Sequence, residues 1–141
     1  MFIDFTKSSL IIGGIFNYLV GNTDNHIKNL SLLYGEDLKT IRLAPAYDII
    51  STMAYENCTE NMAISIDGIY DINQITRQSF EKEAEYIGFG KKAAMKRFDA
   101  MVNKFVKAMK LAQNELKEQG FYQADEICNK ILEKGGIRRF I

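Results

Sequence analysis

Apolar residues recur every three or four positions from Lys91 to about Glu118: Ala94, Phe98, Met101, Phe105, Met109, Ala112 and Leu116. That period predicts the longest helix of the chain, with one face packed and Gly120 closing it. A shorter stripe, Phe80, Ala84 and Ile87, predicts a helix opened by an N-cap at Thr76 and ended at Gly88-Phe89-Gly90. A last amphipathic helix is expected from about Gln123 to Glu133, with Ile127, Ile131 and Leu132 inward and Gly135-Gly136 ending it. Near the start, Ser8 to Val20 reads as a helix apolar on nearly every side, burying Leu10, Ile11, Phe16, Leu19 and Val20. Gly13-Gly14 would let a neighbouring element approach closely, and Gly21 is placed as the C-cap.

The pattern changes after Gly21. Leu30 to Tyr34 and Thr40 to Leu43 read as short strands around the turn Gly35-Glu36-Asp37, and Met62 to Ile66 as a strand ending at Asp67-Gly68. Pro45 forbids ladder pairing at its own nitrogen, and Ile49 to Tyr55 reads as a helical turn. The expected fold is therefore mainly α with a small β-hairpin region. No linker composition interrupts residues 1–141, so a single domain is expected, with residues 1–70 carrying the loops and strands and residues 71–141 helical.

Composition narrows the function classes. Lys plus Arg and Asp plus Glu both number 18, so no net charge favours nucleic acid, and no direct nucleic-acid binding is expected. Lys91 to Glu118 alone is basic, with eight Lys/Arg against three Asp/Glu. Such a run is usually a solvated face, or else a patch for an acidic partner. The longest apolar run, Ser9 to Phe16, is too short to cross a bilayer, so a cytoplasmic protein without membrane attachment is expected. Cys58 and Cys128 lie far apart and match no metal-ligand spacing, which suits a reducing compartment. His26 is the only histidine, which excludes a zinc site built on histidines.

The candidate chemistry lies in the polar loop Gly21-Asn-Thr-Asp-Asn-His-Ile-Lys-Asn-Leu-Ser31 and in Leu43-Ala-Pro-Ala-Tyr-Asp48. Taken alone, Asn22 to His26 also fits an ordinary helix-ending turn, because Asn and Asp bond their own backbone and tolerate left-handed conformations. Asn29, however, lies five residues beyond Asp24, the spacing between a protein-kinase catalytic-loop aspartate and its magnesium-binding asparagine. Asp48 follows a hairpin-like segment, where such enzymes place the second magnesium ligand. Gly88-Phe-Gly-Lys-Lys92 has no strand before it and reads as a break between helices, not as a phosphate loop.

These two motifs, continued through Ile49-Ile50-Ser51, resemble the C-terminal part of the HipA family, bacterial serine/threonine protein kinases that are toxins of toxin–antitoxin modules. The Met62-Ala63 strand, the Ile75-Thr76 helix start and the long helix after Gly90 are similar to later segments of that family, so the resemblance covers nearly the whole chain. It implies the helical C-terminal lobe of a protein-kinase-like fold. It also implies that Asp24 orients and deprotonates the acceptor hydroxyl, and that Asn29 and Asp48 ligate Mg2+ on the phosphates of ATP. Lys28 would contact the transferred phosphoryl group, and His26 would hold the loop or Asp48. Tyr47 and Ser51 would pack and cap.

The glycine-rich loop and strand lysine that cover a nucleotide are not found in this sequence, so an N-terminal lobe is expected to be absent and ATP binding by the chain alone to be weak. The implied partners are that lobe or a second copy at the exposed cleft, a HipB-like DNA-binding antitoxin, and a protein substrate in translation. The competing expectations are a non-catalytic interaction module and, more distantly, a small-molecule or lipid kinase with an Asp-x-His-x-x-Asn loop.

Overall fold

The computed structural model describes residues 2–141, with side chains from Thr6 onward. Four helices and two small antiparallel hairpins follow one another as α1 (Phe2–Val20), β1 (Leu32–Tyr34), β2 (Ile41–Leu43), β3 (Asn61–Ile66), β4 (Ile69–Asp71), α2 (Arg77–Tyr86), α3 (Lys91–Glu118) and α4 (Ala124–Lys134). The fold is thus mainly α with a small β region, as the periodicity predicts.

The core forms where α1 meets α2, α3 and the C-terminal segment. Ile15, Tyr18 and Leu19 of α1 are fully buried there with Ile75, Phe80, Phe98 and Ile137. Tyr18, Phe80, Phe98 and Phe140 make a continuous aromatic chain, with successive ring centroids 5.4, 5.4 and 5.3 Å apart. Such tilted and edge-on pairs add about 0.5–1.5 kcal/mol each beyond area burial. The Tyr18 hydroxyl donates to the Ile75 carbonyl at 3.0 Å, and burial raises its pKa from the ordinary value.

Helix α2 starts as the sequence indicates. Thr76 caps it reciprocally with Ser79: the Ser79 amide donates to Thr76 Oγ1 at 3.3 Å and the Thr76 amide to Ser79 Oγ at 3.1 Å. Ile75 before the cap and Phe80 at the fourth helical position are both fully buried, the arrangement of a hydrophobic staple. Asp67 and Gly68 both have positive φ, 55° and 73°, which suits the tight turn joining β3 to β4.

Some expectations are corrected. Leu10 is 38% exposed and Ile127 45% exposed. α4 instead buries Ala124, Cys128 and Ile131, because that is the stripe facing α3 and the Thr52–Ala54 turn. Gly13 has open space beside it, and Gly14 is in ordinary contact with Ile66 and Phe80. Close approach occurs elsewhere. A Cβ at Gly135 would run into the Leu19 carbonyl oxygen, and one at Gly136 would lie 2.6 Å from the Tyr18 ring. The glycine pair thus ends α4 and also seats the C-terminal segment against α1. No described helix is long and apolar enough to cross a membrane.

Candidate functional site

Helix α1 ends in a buried polar knot that anchors the loop after it. Gly21 takes φ +76°, and a Cβ there would stand 2.9 Å from Met53 Cβ, so the sequence needs glycine at this C-cap. Asn17 and Asn22 are both buried, and the Asn22 amide group donates to Asn17 Oδ1 at 2.7 Å. The Thr52 hydroxyl donates to the Gly21 carbonyl at 3.1 Å and accepts from the Thr23 backbone N–H at 2.7 Å. Its proton being engaged, the 2.7 Å contact with the Thr23 hydroxyl has Thr23 as donor. The Ala63 N–H of β3 donates to the Thr23 carbonyl at 2.9 Å. Thr23 is therefore held from two sides, and Asp24 is the first residue to emerge from the knot into solvent.

Beyond it the loop turns tightly. The His26 N–H donates to the Asp24 carbonyl at 2.8 Å, and Ile27–Asn29 forms one 3-10 turn. That turn brings His26 Nε2 to 3.0 Å from Asp24 Oδ1, with both side chains about half exposed. His26 thus holds the Asp24 carboxylate and not Asp48, because the short turn places residues 24 and 26 side by side.

The β1–β2 hairpin carries the chain back across this loop. Leu32 pairs with Leu43 and Tyr34 with Ile41, and the Ala44 N–H extends the ladder to the Ser31 carbonyl at 2.7 Å. Asp37 in the turn accepts from the amides of Lys39 and Thr40, which lowers its pKa. After Pro45, the Tyr47 hydroxyl sits 2.9 Å from Ser31 Oγ and donates to the Lys28 carbonyl at 3.4 Å. Tyr47 is thus a clamp between the two motifs. Asp48 then adopts φ +55°, a left-handed conformation that aspartate tolerates better than most residues. Its Oδ2 accepts from the Asn29 side-chain amide at 3.3 Å, across 19 residues of sequence. Ser51, expected to cap, makes no side-chain cap bond, and its hydroxyl is buried without a hydrogen-bond partner among the described residues.

Asn29 also lines a groove of about 560 Å³, whose lining takes in Asn25 and Ile27 of the loop but not Asp24, His26 or Asp48. Asn25, Asn29 and Tyr47 line its polar rim, and Leu10, Ile11, Ile64 and Ile66 line its apolar wall. Arg42 of β2 also lines it, with no acidic partner among the described residues. No sequence motif singled out Arg42; the only signal is its place in the strand that runs back toward Asp48. The Lys28 side chain, on the exposed 3-10 turn, is likewise unpaired among the described residues.

The donor set suits a hard cation. Asp48 offers a carboxylate and Asn29 an amide whose oxygen would face the ion once the group turned over. Their contact is exposed, so water could supply the remaining ligands of an ion held there. Mg2+ favours one or two carboxylates, retained waters and substrate phosphates over an all-protein cage. Among the described residues, no three His, Cys, Asp or Glu side chains cluster.

The family model for the HipA-like C-terminal domain matches residues 8–109. The candidate kinase Y4mE of Sinorhizobium fredii (strain NBRC 101917 / NGR234) is 32% identical over 100 residues, 71% of this chain and 23% of that protein. The serine/threonine-protein kinase toxin HipA of Shewanella oneidensis is 33% identical over 69 residues, 49% of this chain and 16% of that protein. Among solved structures, the Shewanella oneidensis MR-1 complex of HipA, HipB and operator DNA superposes with a TM-score of 0.70. That match has 21% identity and covers 91% of this chain and 31% of the other, a likeness of fold. The chain spans about a quarter of the length of Y4mE.

Proposed function

This chain belongs to the HipA-like C-terminal domain family, and from that premise we propose that it supplies the catalytic aspartate and magnesium ligands of a serine/threonine protein kinase. The observation that carries the reading is the meeting of Asn29 and Asp48 at 3.3 Å, with Asp24 anchored at the head of the same loop. In this reading Asp24 orients the acceptor hydroxyl and takes its proton, a role worth roughly 10²- to 10⁴-fold in rate. His26 keeps the Asp24 carboxylate aimed. Asn29 and Asp48 hold Mg2+, which when bound neutralises charge on the β- and γ-phosphates of ATP. Lys28 on the loop and Arg42 on the groove wall would offer positive charge to the transferred phosphoryl group. Residues 1–70 carry this chemistry and residues 71–141 buttress it.

Phosphoryl transfer needs a cover over the nucleotide, and the apolar groove is open. Leu10, Ile27, Leu30 and Ile49, which line it, are 38%, 77%, 36% and 37% exposed. This reading assigns their cover to further polypeptide of the kind the longer relatives carry, or to a second copy. A HipB-like antitoxin and a protein substrate in translation are the partners it proposes, the solved relative being HipA in complex with HipB and operator DNA. The test is Mg-ATP-dependent phosphate transfer to a protein hydroxyl by this chain joined to the preceding part of a relative. Loss on Asp24→Asn and on Asp48→Asn supports the roles. Transfer undiminished by either refutes them, and a complex that assembles but never transfers favours the interaction module.

A further inference from the structure

Two buried side chains steer the start of the polar loop without taking part in its chemistry. Asn17 on α1 and Asn22 just after it are 4% and 1% exposed, and their carboxamides form a short chain inside the fold. At one end Asn17 Nδ2 donates to the Gly13 carbonyl at 2.8 Å. At the other, Asn22 Oδ1 accepts the Asp24 backbone N–H at 3.2 Å. Between them Asn22 Nδ2 donates to Asn17 Oδ1 at 2.7 Å. A carbonyl can only accept and a backbone N–H can only donate, so the two ends fix the two amides independently. They meet as donor against acceptor, and neither can turn over without setting like groups face to face. An asparagine in an exposed turn bonds its own backbone without such help. Burying carboxamides is costly unless they are bonded, and this pair is bonded at every joint up to Asp24.

We propose that Asn22 is a positioning residue for Asp24, with Asn17 setting which end of the Asn22 carboxamide faces it, an assignment that rests on the reading of Asp24 as the base. The Asp24 carboxylate is about half exposed and bonded to His26 at 3.0 Å, and no other hydrogen bond or ion pair holds it among the described residues. Its direction therefore follows from where the backbone at residue 24 is set. That backbone is gripped on both sides, its N–H by Asn22 and its carbonyl by the His26 N–H at 2.8 Å. Of the two grips, only Asn22 is tied to the buried interior. A base must meet its acceptor hydroxyl in line, and a misplacement of about 1 Å costs on the order of 10²-fold in rate.

The test has two arms. His26 is the only histidine, so its ring gives a single set of NMR signals that reports the Asp24–His26 contact in the chain itself. With Asp24→Asn as the reference for a lost contact, Asn22→Ala should move those signals toward the reference. Asn22→Ser, whose hydroxyl accepts the same N–H more weakly, should bring them part of the way back. Asn17→Ala, which puts the better helix former into α1, should move them as Asn22→Ala does, and stands in for it if that variant does not fold. Tyr18→Phe, which loosens the core without touching the chain of amides, should leave them in place. In the chain joined to the preceding part of a relative, Asn22→Ala should lower kcat by roughly 10- to 100-fold with KM for Mg-ATP unchanged. In an Asp24→Asn background it should cost nothing further, because it acts through Asp24. Ring signals unmoved in Asn22→Ala or Asn17→Ala, or a kcat loss of the same size in both backgrounds, would overturn the assignment. The ring signals use no ATP, so they decide whether Asn22 sets Asp24 even where Asp24→Asn leaves transfer undiminished, the result that refutes the base itself.

Discussion

Thr52→Val is a near-isosteric change that removes the centre of the polar knot under the Asp24–Asn29 loop. The substitution deletes one hydroxyl that accepts from the Thr23 N–H and from the Thr23 hydroxyl, each at 2.7 Å, and donates to the Gly21 carbonyl at 3.1 Å. The Gly21 carbonyl keeps a second donor, the Met53 N–H at 3.0 Å, so its loss is small. The Thr23 N–H is buried and left without a partner, at about 1–3 kcal/mol, and the lost hydroxyl–hydroxyl bond adds about 0.5–1.5 kcal/mol. The sum, about 1.5–4.5 kcal/mol, should appear in urea denaturation as a lower midpoint with an unchanged m-value. Thr23→Val deletes only the hydroxyl–hydroxyl bond and should cost about 1 kcal/mol. The double variant should cost less than the two together, because the sites share that bond. Thr52→Ser should restore most of the stability. Amide resonances of Asp24 to Asn29 should shift in Thr52→Val and stay put in Thr52→Ser. A loss below about 0.5 kcal/mol in Thr52→Val, or unmoved loop amides, would refute the view that this hydroxyl anchors the loop.

Gly135→Ala places a methyl against backbone carbonyls of Leu19 and Ile131 that cannot yield as a flexible side chain would, and should cost about 3 kcal/mol in the same assay. Tyr18→Phe removes one of two donors to the Ile75 carbonyl, Arg139 Nη1 remaining at 3.3 Å, and should cost about 0.5–1.5 kcal/mol at pH 7. Because burial raises the Tyr18 pKa, wild-type stability should be full below pH of about 10 and fall as pH climbs through the raised value. Thermal melts of Tyr18→Phe across that range should lack this part of the alkaline loss. Arg77 lowers the Asp99 pKa, so their exposed pair contributes above pH of about 4 and is lost as pH falls through the depressed value. Asp99→Asn should cost under about 1 kcal/mol at pH 7, and less still at pH of about 2, as measured by denaturant midpoint.

The bounds of α3 and the Thr76 cap were legible because period and capping chemistry are local signals, and both act within one or two turns of helix. Burial on α1 was not legible in the same way. Where apolar residues ring a helix, period cannot choose a face, and Leu10 ends at the groove rim because no described element covers it. On α4 the packed stripe passes through Cys128, a small hydrophobe that an aliphatic pattern overlooks in favour of Ile127. The loop motif was readable because Asp24 and Asn29 are five residues apart, and the hairpin between them and Asp48 had recognisable turn chemistry. Thr52 was not readable. A threonine in an unpatterned stretch carries no sign that it will meet Thr23, and Arg42 becomes visible only once β2 is paired.

The most direct test of the account is paramagnetic: Mn2+, a mimic of Mg2+, titrated into the isotope-labelled chain with amide line broadening followed by NMR. Broadening is expected first at Asp48, Asn29 and their immediate neighbours, then at Asp24, all of it lost in Asp48→Asn. Broadening centred on other acids, or a wild-type pattern that survives Asp48→Asn, would contradict the claim that these two motifs build one divalent-cation site.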